Sequence, residues 1–376
     1  MTEINISLDE LPLAPSIKGD RPYGAPQLDV AVALNVNENP YPPTGKVKSK
    51  LLAALEKSLA EINRYPDREA LELRADLADY LGFNLSSENI WVANGSNEII
   101  TQLLQAFGGP GRKLLTFSPT YSMYPEYARN THTDFVAVPR RADFSLDAAG
   151  MLAAVAEHNP DIILIANPNN PTGTLVPVVE IAELCRNTDA IVIIDEAYQE
   201  FTQFPEDSSL AMLPRFPRLA VVRTMSKAFA FAGARVGYLA SSPSMVDACR
   251  IVRLPYHLST QTQVMARVVL ANAPTMLAKV EALREECQAL QEWLRLQGLD
   301  VIPSEANFCL FGPFVDRHEA WEELLKRGIL VREVGPEGYL RVSAGTPEDM
   351  AAFRDALVEV LQGSELDHKA NARLKE

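Results

Sequence analysis

No apolar run in this chain approaches the roughly 18 residues needed to cross a bilayer, so nothing in it reads as a membrane span. The first residues, MTEINISLDELP, lack both the basic start and the apolar stretch of a secretory leader, and a cytosolic location is expected. Cations are in short supply. With 35 Lys and Arg against 49 Asp and Glu the formal charge is -14, which argues against a general binder of nucleic-acid backbones, whose affinity rests on clustered Lys and Arg. Local cationic pockets are still allowed. Cys185, Cys249, Cys287 and Cys309 show no CxxC or metal-ligand spacing and mostly have apolar neighbours, the pattern of reduced packing residues. The five histidines, His132, His158, His257, His318 and His368, form no HExxH or similar pattern, so no metal is expected. Nor is there an internal repeat.

What the chain does have is a series of short apolar strands that release polar residues at their carboxyl ends. DIILIA (161–166) runs into NPNNPTG (167–173), AIVII (190–194) ends in Asp195, Glu196, Ala197 and Tyr198, and a further apolar strand leads into TMSKAFAFAG (224–233). Open α/β sheets place their ligand sites at such ends. The last of these segments holds Lys227, with Arg235 eight residues on (235 − 227). A lysine at its ordinary pKa of about 10.4 is a poor nucleophile; apolar surroundings and a neighbouring cation favour the neutral, reactive amine. That setting suits a Schiff base. Upstream, IWVANGSNEII (90–100) reads as a strand, a Gly-Ser-Asn turn and a helix, and the free amides of Gly95, Ser96 and Asn97 at that helix start would bind a dianion. Taken singly, these residues have plainer readings. Lys227 could be a solvated surface lysine, Asp195 or the Gly-Ser-Asn turn a helix cap, Asn170 a turn former, and Tyr121 core.

Together the motifs give the chain a likeness that covers nearly everything from about Tyr23 to about Leu361. It resembles the fold-type I, class II aminotransferases that use pyridoxal 5'-phosphate, and within them the branch acting on histidinol phosphate. The resemblance implies that Lys227 holds the cofactor covalently, Asp195 faces its pyridine nitrogen, and Asn170 and Tyr198 face its 3'-oxygen. It implies also that Thr224, Ser226 and Arg235 bind its phosphate with the 95–97 turn, and that Tyr121 stacks on its ring. Physical chemistry agrees: a carboxylate keeps the ring nitrogen protonated, and a protonated ring can accept an electron pair. On the substrate side the resemblance points to Tyr23 and Asn37 in an N-terminal segment that closes over the substrate, and to Arg332 and Arg341 toward its phosphate or the carboxylate of glutamate. Tyr65 would reach the cofactor phosphate of a partner subunit, which implies a homodimer with shared sites.

The expected fold is α/β: a large domain whose mostly parallel sheet is flanked by helices, plus a smaller α+β domain. An N-terminal arm (1–44) would join the small domain. The large domain would span 45–265 and the small one 266–362, with a disordered polar tail at 363–376. The expected reaction is transamination of L-histidinol phosphate with 2-oxoglutarate, giving imidazole-acetol phosphate and glutamate. An aromatic amino-acid aminotransferase would keep every cofactor residue, and Arg332 speaks against it because a second cation suits a phosphate better than a ring. A lyase or decarboxylase of a phosphorylated amino acid would not need 2-oxoglutarate. A cofactor-binding regulator would carry a DNA-binding module, and no basic helix-turn-helix precedes Tyr23. GYLRVSAG carries Ser343 and Ala344 where relatives often have Thr and a branched residue, a departure to which no substrate consequence attaches.

Overall fold

The computed structural model describes residues 6–363. In chain order its strands are β1 (Val32–Ala33), β2 (Ile90–Asn94), β3 (Lys113–Ser118), β4 (Asp134–Pro139), β5 (Ile162–Ala166), β6 (Ile191–Asp195), β7 (Leu219–Thr224), β8 (Val236–Ser241), β9 (Asp300–Val301), β10 (Phe308–Gly312), β11 (Ile329–Leu330), β12 (Arg332–Glu333) and β13 (Leu340–Ser343). Seven of them form one sheet in the order β2-β8-β7-β6-β5-β3-β4. Every pairing in it is parallel except the two made by β8, so six strands point their carboxyl ends to one edge.

The interior strands are apolar on both faces because both faces are covered, which explains why their sequences read as continuous runs rather than alternations. Successive side chains point to opposite sides, and β5 shows the result: Ile163 and Ile165 enter one core cluster, Ile162, Leu164 and Ala166 the other. Fully burying a side chain of this size contributes about 1.5–3 kcal/mol. The first cluster continues beyond residue 265 through Ala266, Val269, Leu270, Ala273 and Met276, because the helix Thr260–Leu270 packs against helices Gly45–Leu59 and Leu71–Leu81.

A third cluster gathers the amphipathic helix Val280–Leu296, strands β10 and β13, and the helix Pro347–Gly363. There β12, β13, β10 and β9 make a four-stranded antiparallel sheet. The arm joins this unit: β1 pairs in parallel with β11, and Val32 and Leu34 sit in the same cluster. Thr346 and Asp349 cap the last helix reciprocally, the Thr346 amide donating to Asp349 Oδ2 at 3.0 Å and the Asp349 amide to Thr346 Oγ1 at 3.2 Å. Gly363 ends that helix, and the remainder of the expected tail lies outside the described residues. Folding brings Cys287 and Cys309 within 3.4 Å inside this third core, a proximity that their spacing of 22 residues does not announce.

Candidate active site

Where the carboxyl edge of the large sheet faces the arm and the small sheet lies a cavity of about 530 Å³. Lys227, Asp195, Tyr198, Asn170, Tyr121, Ser96, Asn97, Thr224, Ser226, Arg235, Tyr23, Asn37, Arg332 and Arg341 all line it. Of the residues singled out from sequence, Gly95 lies just behind this lining and Tyr65 lies away from it.

Two adjacent acids at the end of β6 meet different fates. Glu196 is buried and fully paired: Oε2 accepts from Arg223 at 2.8 Å and from Ser208 at 2.7 Å, and Oε1 accepts from the Ser209 amide at 2.8 Å. Asp195 faces the cavity instead. Its Oδ2 accepts from the buried Tyr124 hydroxyl at 3.0 Å, and its buried Oδ1 has no hydrogen-bond partner among the described residues. Burial pushes its pKa up to about 6, opposed by the Tyr124 hydrogen bond. A buried carboxylate oxygen without a donor is costly, so the position fits a ligand that brings an N–H.

Lys227 Nζ is partly buried and donates to the Val36 carbonyl of the arm at 2.7 Å. Burial, then the Arg341 guanidinium, lower its pKa to about 8, with Arg235 acting in the same direction and Glu38 and Asp195 opposing. The amine is therefore far easier to neutralise than a surface lysine. Tyr198 is also buried; its hydroxyl accepts from Asn37 Nδ2 at 2.9 Å and from Asn170 Nδ2 at 3.4 Å.

The anion end is built at the start of the helix Ser96–Phe107. Gly95, at φ +84, caps it, and the Glu98 and Ile99 amides return to the Gly95 carbonyl, leaving the Ser96 and Asn97 amides outside the helix's own bonding. Thr224 Oγ1 donates to Ser226 Oγ at 2.9 Å, and Arg235 Nη1 donates to the same oxygen at 3.3 Å. Arg235 itself is held in the left-handed region at φ +57, a strained conformation of the kind that concentrates at working sites. A Cβ on Gly95 would come within 2.4 Å of the Arg235 guanidinium, and one on Gly237 within 2.1 Å of the Gly95–Ser96 backbone. Only two bare glycines let the cation and β8 approach the loop this closely.

At the opposite wall Arg332 and Arg341 stand directly opposite one another on β12 and β13. Arg341 donates to Asn170 Oδ1 and, at 2.7 Å, to the Asn35 carbonyl; among the described residues its buried Nε has no partner. Burial, helped by the Arg332 charge and opposed by Tyr198, lowers its pKa to about 10. Like charges directly opposite on neighbouring strands repel, and an anion between them would relieve this. Tyr23 bonds to Ser122 at the rim, and the Asp20–Arg129 ion pair at 2.6 Å ties the same stretch of arm to the helix Tyr124–Asn130.

Sequence reasoning missed Tyr124, Gly237, Ser122 and the arm carbonyls of Asn35 and Val36. Tyr124 was within reach: it lies three residues after Tyr121 in PTYSMYP, where a turn of helix can aim both rings at one place. The others depend on contacts between segments far apart in the chain.

A lysine, an acid with one oxygen free to accept and an anion-binding helix start, gathered on the carboxyl edge of a mostly parallel seven-stranded sheet, define the aminotransferase class that works with pyridoxal 5'-phosphate. The family model of class I and II aminotransferases matches residues 30–357, and the chain belongs to that family. It is 52% identical over 352 residues to the histidinol-phosphate aminotransferase of Thermobifida fusca, covering 94% of this chain and 96% of that one. To the histidinol-phosphate aminotransferase of Corynebacterium efficiens it is 47% identical over 360 residues, covering 94% and 96%. Among solved structures, the histidinol-phosphate aminotransferase of Sinorhizobium meliloti in complex with pyridoxal-5'-phosphate matches with a TM-score of 0.84 at 25% identity, over 94% of this chain and 98% of that one. Within the family the chain stands among the histidinol-phosphate aminotransferases.

Proposed function

We propose that this chain transaminates L-histidinol phosphate with 2-oxoglutarate, a step of histidine biosynthesis that yields imidazole-acetol phosphate and glutamate. The observation that carries the reading is the facing pair Arg332 and Arg341 on the wall of the cavity that holds Lys227. An arginine pair forms forked, charge-assisted contacts with a phosphate, and Arg341 alone suffices for the carboxylate of the second substrate.

The residues present fit pyridoxal 5'-phosphate, which when bound supplies an aldehyde for amines and a ring that takes up an electron pair. We assign Lys227 as the residue that holds it, and Asp195 Oδ1 as the acceptor for the ring N–H. Asn170 and Tyr198 would face its 3'-oxygen, and Tyr121 its ring. Its phosphate would rest on Gly95, Ser96, Asn97, Thr224, Ser226 and Arg235. Lys227, whose ammonium gives up its proton far more readily than a surface lysine's, would serve as the base that moves the substrate's α-proton. Tyr23 and the arm cover the site and exclude water.

The chain is further proposed to work as a cytoplasmic homodimer. Tyr65 is 80% exposed and stacks on Tyr256 at 4.4 Å, where the segment carrying Leu52, Leu59, Ile62 and Leu71 meets the one carrying Ile251 and Leu254. These six aliphatic residues are all exposed, and a second copy covering them would bring Tyr65 to the neighbouring site. No helix among the described residues is long and apolar enough to cross a membrane. A panel of amine donors with 2-oxoglutarate tests the reaction. Histidinol phosphate should exceed phenylalanine in kcat/KM by at least about 100-fold, and Arg332→Ala should erode that preference chiefly through KM. Equal use of the two donors would favour the aromatic alternative.

A further inference from the structure

Asn37 is 1% exposed, sits in the left-handed region at φ +57, and has every polar group engaged. Its amide N–H donates to Ser343 Oγ at 2.9 Å, and Ser343 Oγ donates back to Asn37 Oδ1 at 2.9 Å. Asn37 Nδ2 donates to the Tyr198 hydroxyl at 2.9 Å, and the Asn37 carbonyl accepts from Asn307 Nδ2 at 3.2 Å. A serine hydroxyl has one proton, and its acceptor among the described residues is Asn37 Oδ1; with the amide turned the other way that buried proton would have none. This sets which way the Asn37 amide faces: oxygen to Ser343, NH2 to Tyr198. The Tyr198 oxygen then receives N–H groups from Asn37 and Asn170, and among the described residues its own proton has no acceptor. It is left to point into the cavity.

We infer that Ser343 is a positioning residue of the reaction: by locking the Asn37 amide, it obliges the Tyr198 hydroxyl to donate to the 3'-oxygen of bound pyridoxal 5'-phosphate. The inference rests on the cofactor reading above. It also ties the substrate side of the site to the cofactor side, because Ser343 lies on β13 two residues from Arg341, and the Ser343 amide holds the Leu34 carbonyl of the arm at 3.0 Å. A purely structural Ser343 would anchor the arm and nothing more.

A donor to the 3'-oxygen favours the deprotonated chromophore and lowers the pH at which its absorbance changes. The test is a spectral pH titration of the cofactor-loaded protein, with thermal melting alongside, for wild type, Ser343→Ala, Ser343→Thr, Ser343→Cys, Tyr198→Phe and the Tyr198→Phe/Ser343→Ala double variant. Ser343→Ala should raise the midpoint by about half a pH unit or more. Ser343→Thr, which keeps the hydroxyl, should restore it. Ser343→Cys, which fills the space with a weak hydrogen-bonding group, should shift it as Ala does even if the alanine variant folds poorly. In the Tyr198→Phe background, loss of Ser343 should move the midpoint no further. A wild-type midpoint in both Ala and Cys variants, whatever their melting temperatures, overturns the inference, and so does a full additional shift in the Phe background. Absence of any cofactor absorbance in the wild type would instead bring down the cofactor reading itself.

Discussion

Asp195 and Glu196 are neighbours in sequence, buried to a similar degree, and chemically almost identical, yet only one is set up to meet a ligand. Glu196 is neutralised by Arg223, and removing either partner would strand a buried charge. Asp195 has the Tyr124 phenol on one oxygen, and among the described residues its other oxygen makes no hydrogen bond within 3.5 Å. Its pKa is raised by burial from 3.8 to about 6, so between those values the folded protein binds the proton that the unfolded chain releases. Stability of the cofactor-free protein should fall as pH rises through that window, and above about pH 6 the full cost, on the order of 3 kcal/mol, is present. Asp195→Asn should accordingly raise the cofactor-free melting temperature at pH 7.5 while nearly abolishing turnover; an unchanged melting temperature would mean that the carboxylate is not under strain. Tyr124 stabilises the charged form of Asp195, so Tyr124→Phe should weaken cofactor binding by roughly 10-fold, measured by equilibrium titration with the vitamer. Unaltered affinity would show that this hydrogen bond contributes nothing.

The strand ends explain why a site exists where it does. Six strands of one polarity deliver Asn94, Ser118, Pro139, Ala166, Asp195 and Thr224 to a single edge, where the candidate site lies. This much was legible in sequence, since a buried parallel strand announces itself as an apolar run closed by polar residues. The two arginines were legible too, as cations on the substrate side, although their cross-strand register was not. What sequence did not reveal depends on close approach between distant segments. Gly237 is an ordinary strand glycine until β8 is seen against the Gly95–Ser96 backbone. The hydroxyl of Ser343 reads as strand packing until the arm folds back to place Asn37 on it. Gly237→Ala should displace the loop that starts the helix Ser96–Phe107 and lower cofactor affinity by more than about 10-fold, a loss of roughly 1.4 kcal/mol. Full affinity in that variant would contradict the role given to the loop.

At the scale of the whole molecule, the apolar stripe of the helix Gly45–Leu59 is left partly uncovered, with Leu52 and Leu59 exposed and Val47 and Ser58 alone buried. A stripe of that kind asks for a partner, and light scattering should report a dimer. If Tyr65 serves the neighbouring site, mixing and re-annealing Lys227→Ala with Tyr65→Ala should recover activity above the average of the two parents, because one site per mixed dimer is then intact. Mixing Lys227→Ala with Arg235→Ala should recover none, since both defects lie within one chain's site. Recovery in neither mixture would refute the shared site.

The proposed chemistry turns on one partly buried, easily neutralised amine, Lys227, as the carrier of the cofactor. Borohydride reduction of the cofactor-loaded protein, followed by digestion and mass spectrometry, would locate that carrier. A single reduced pyridoxyl adduct is expected on Lys227, in the peptide that contains TMSKAFAFAG, and none in Lys227→Ala. An adduct on another lysine, or no stable adduct in the active protein, would contradict it.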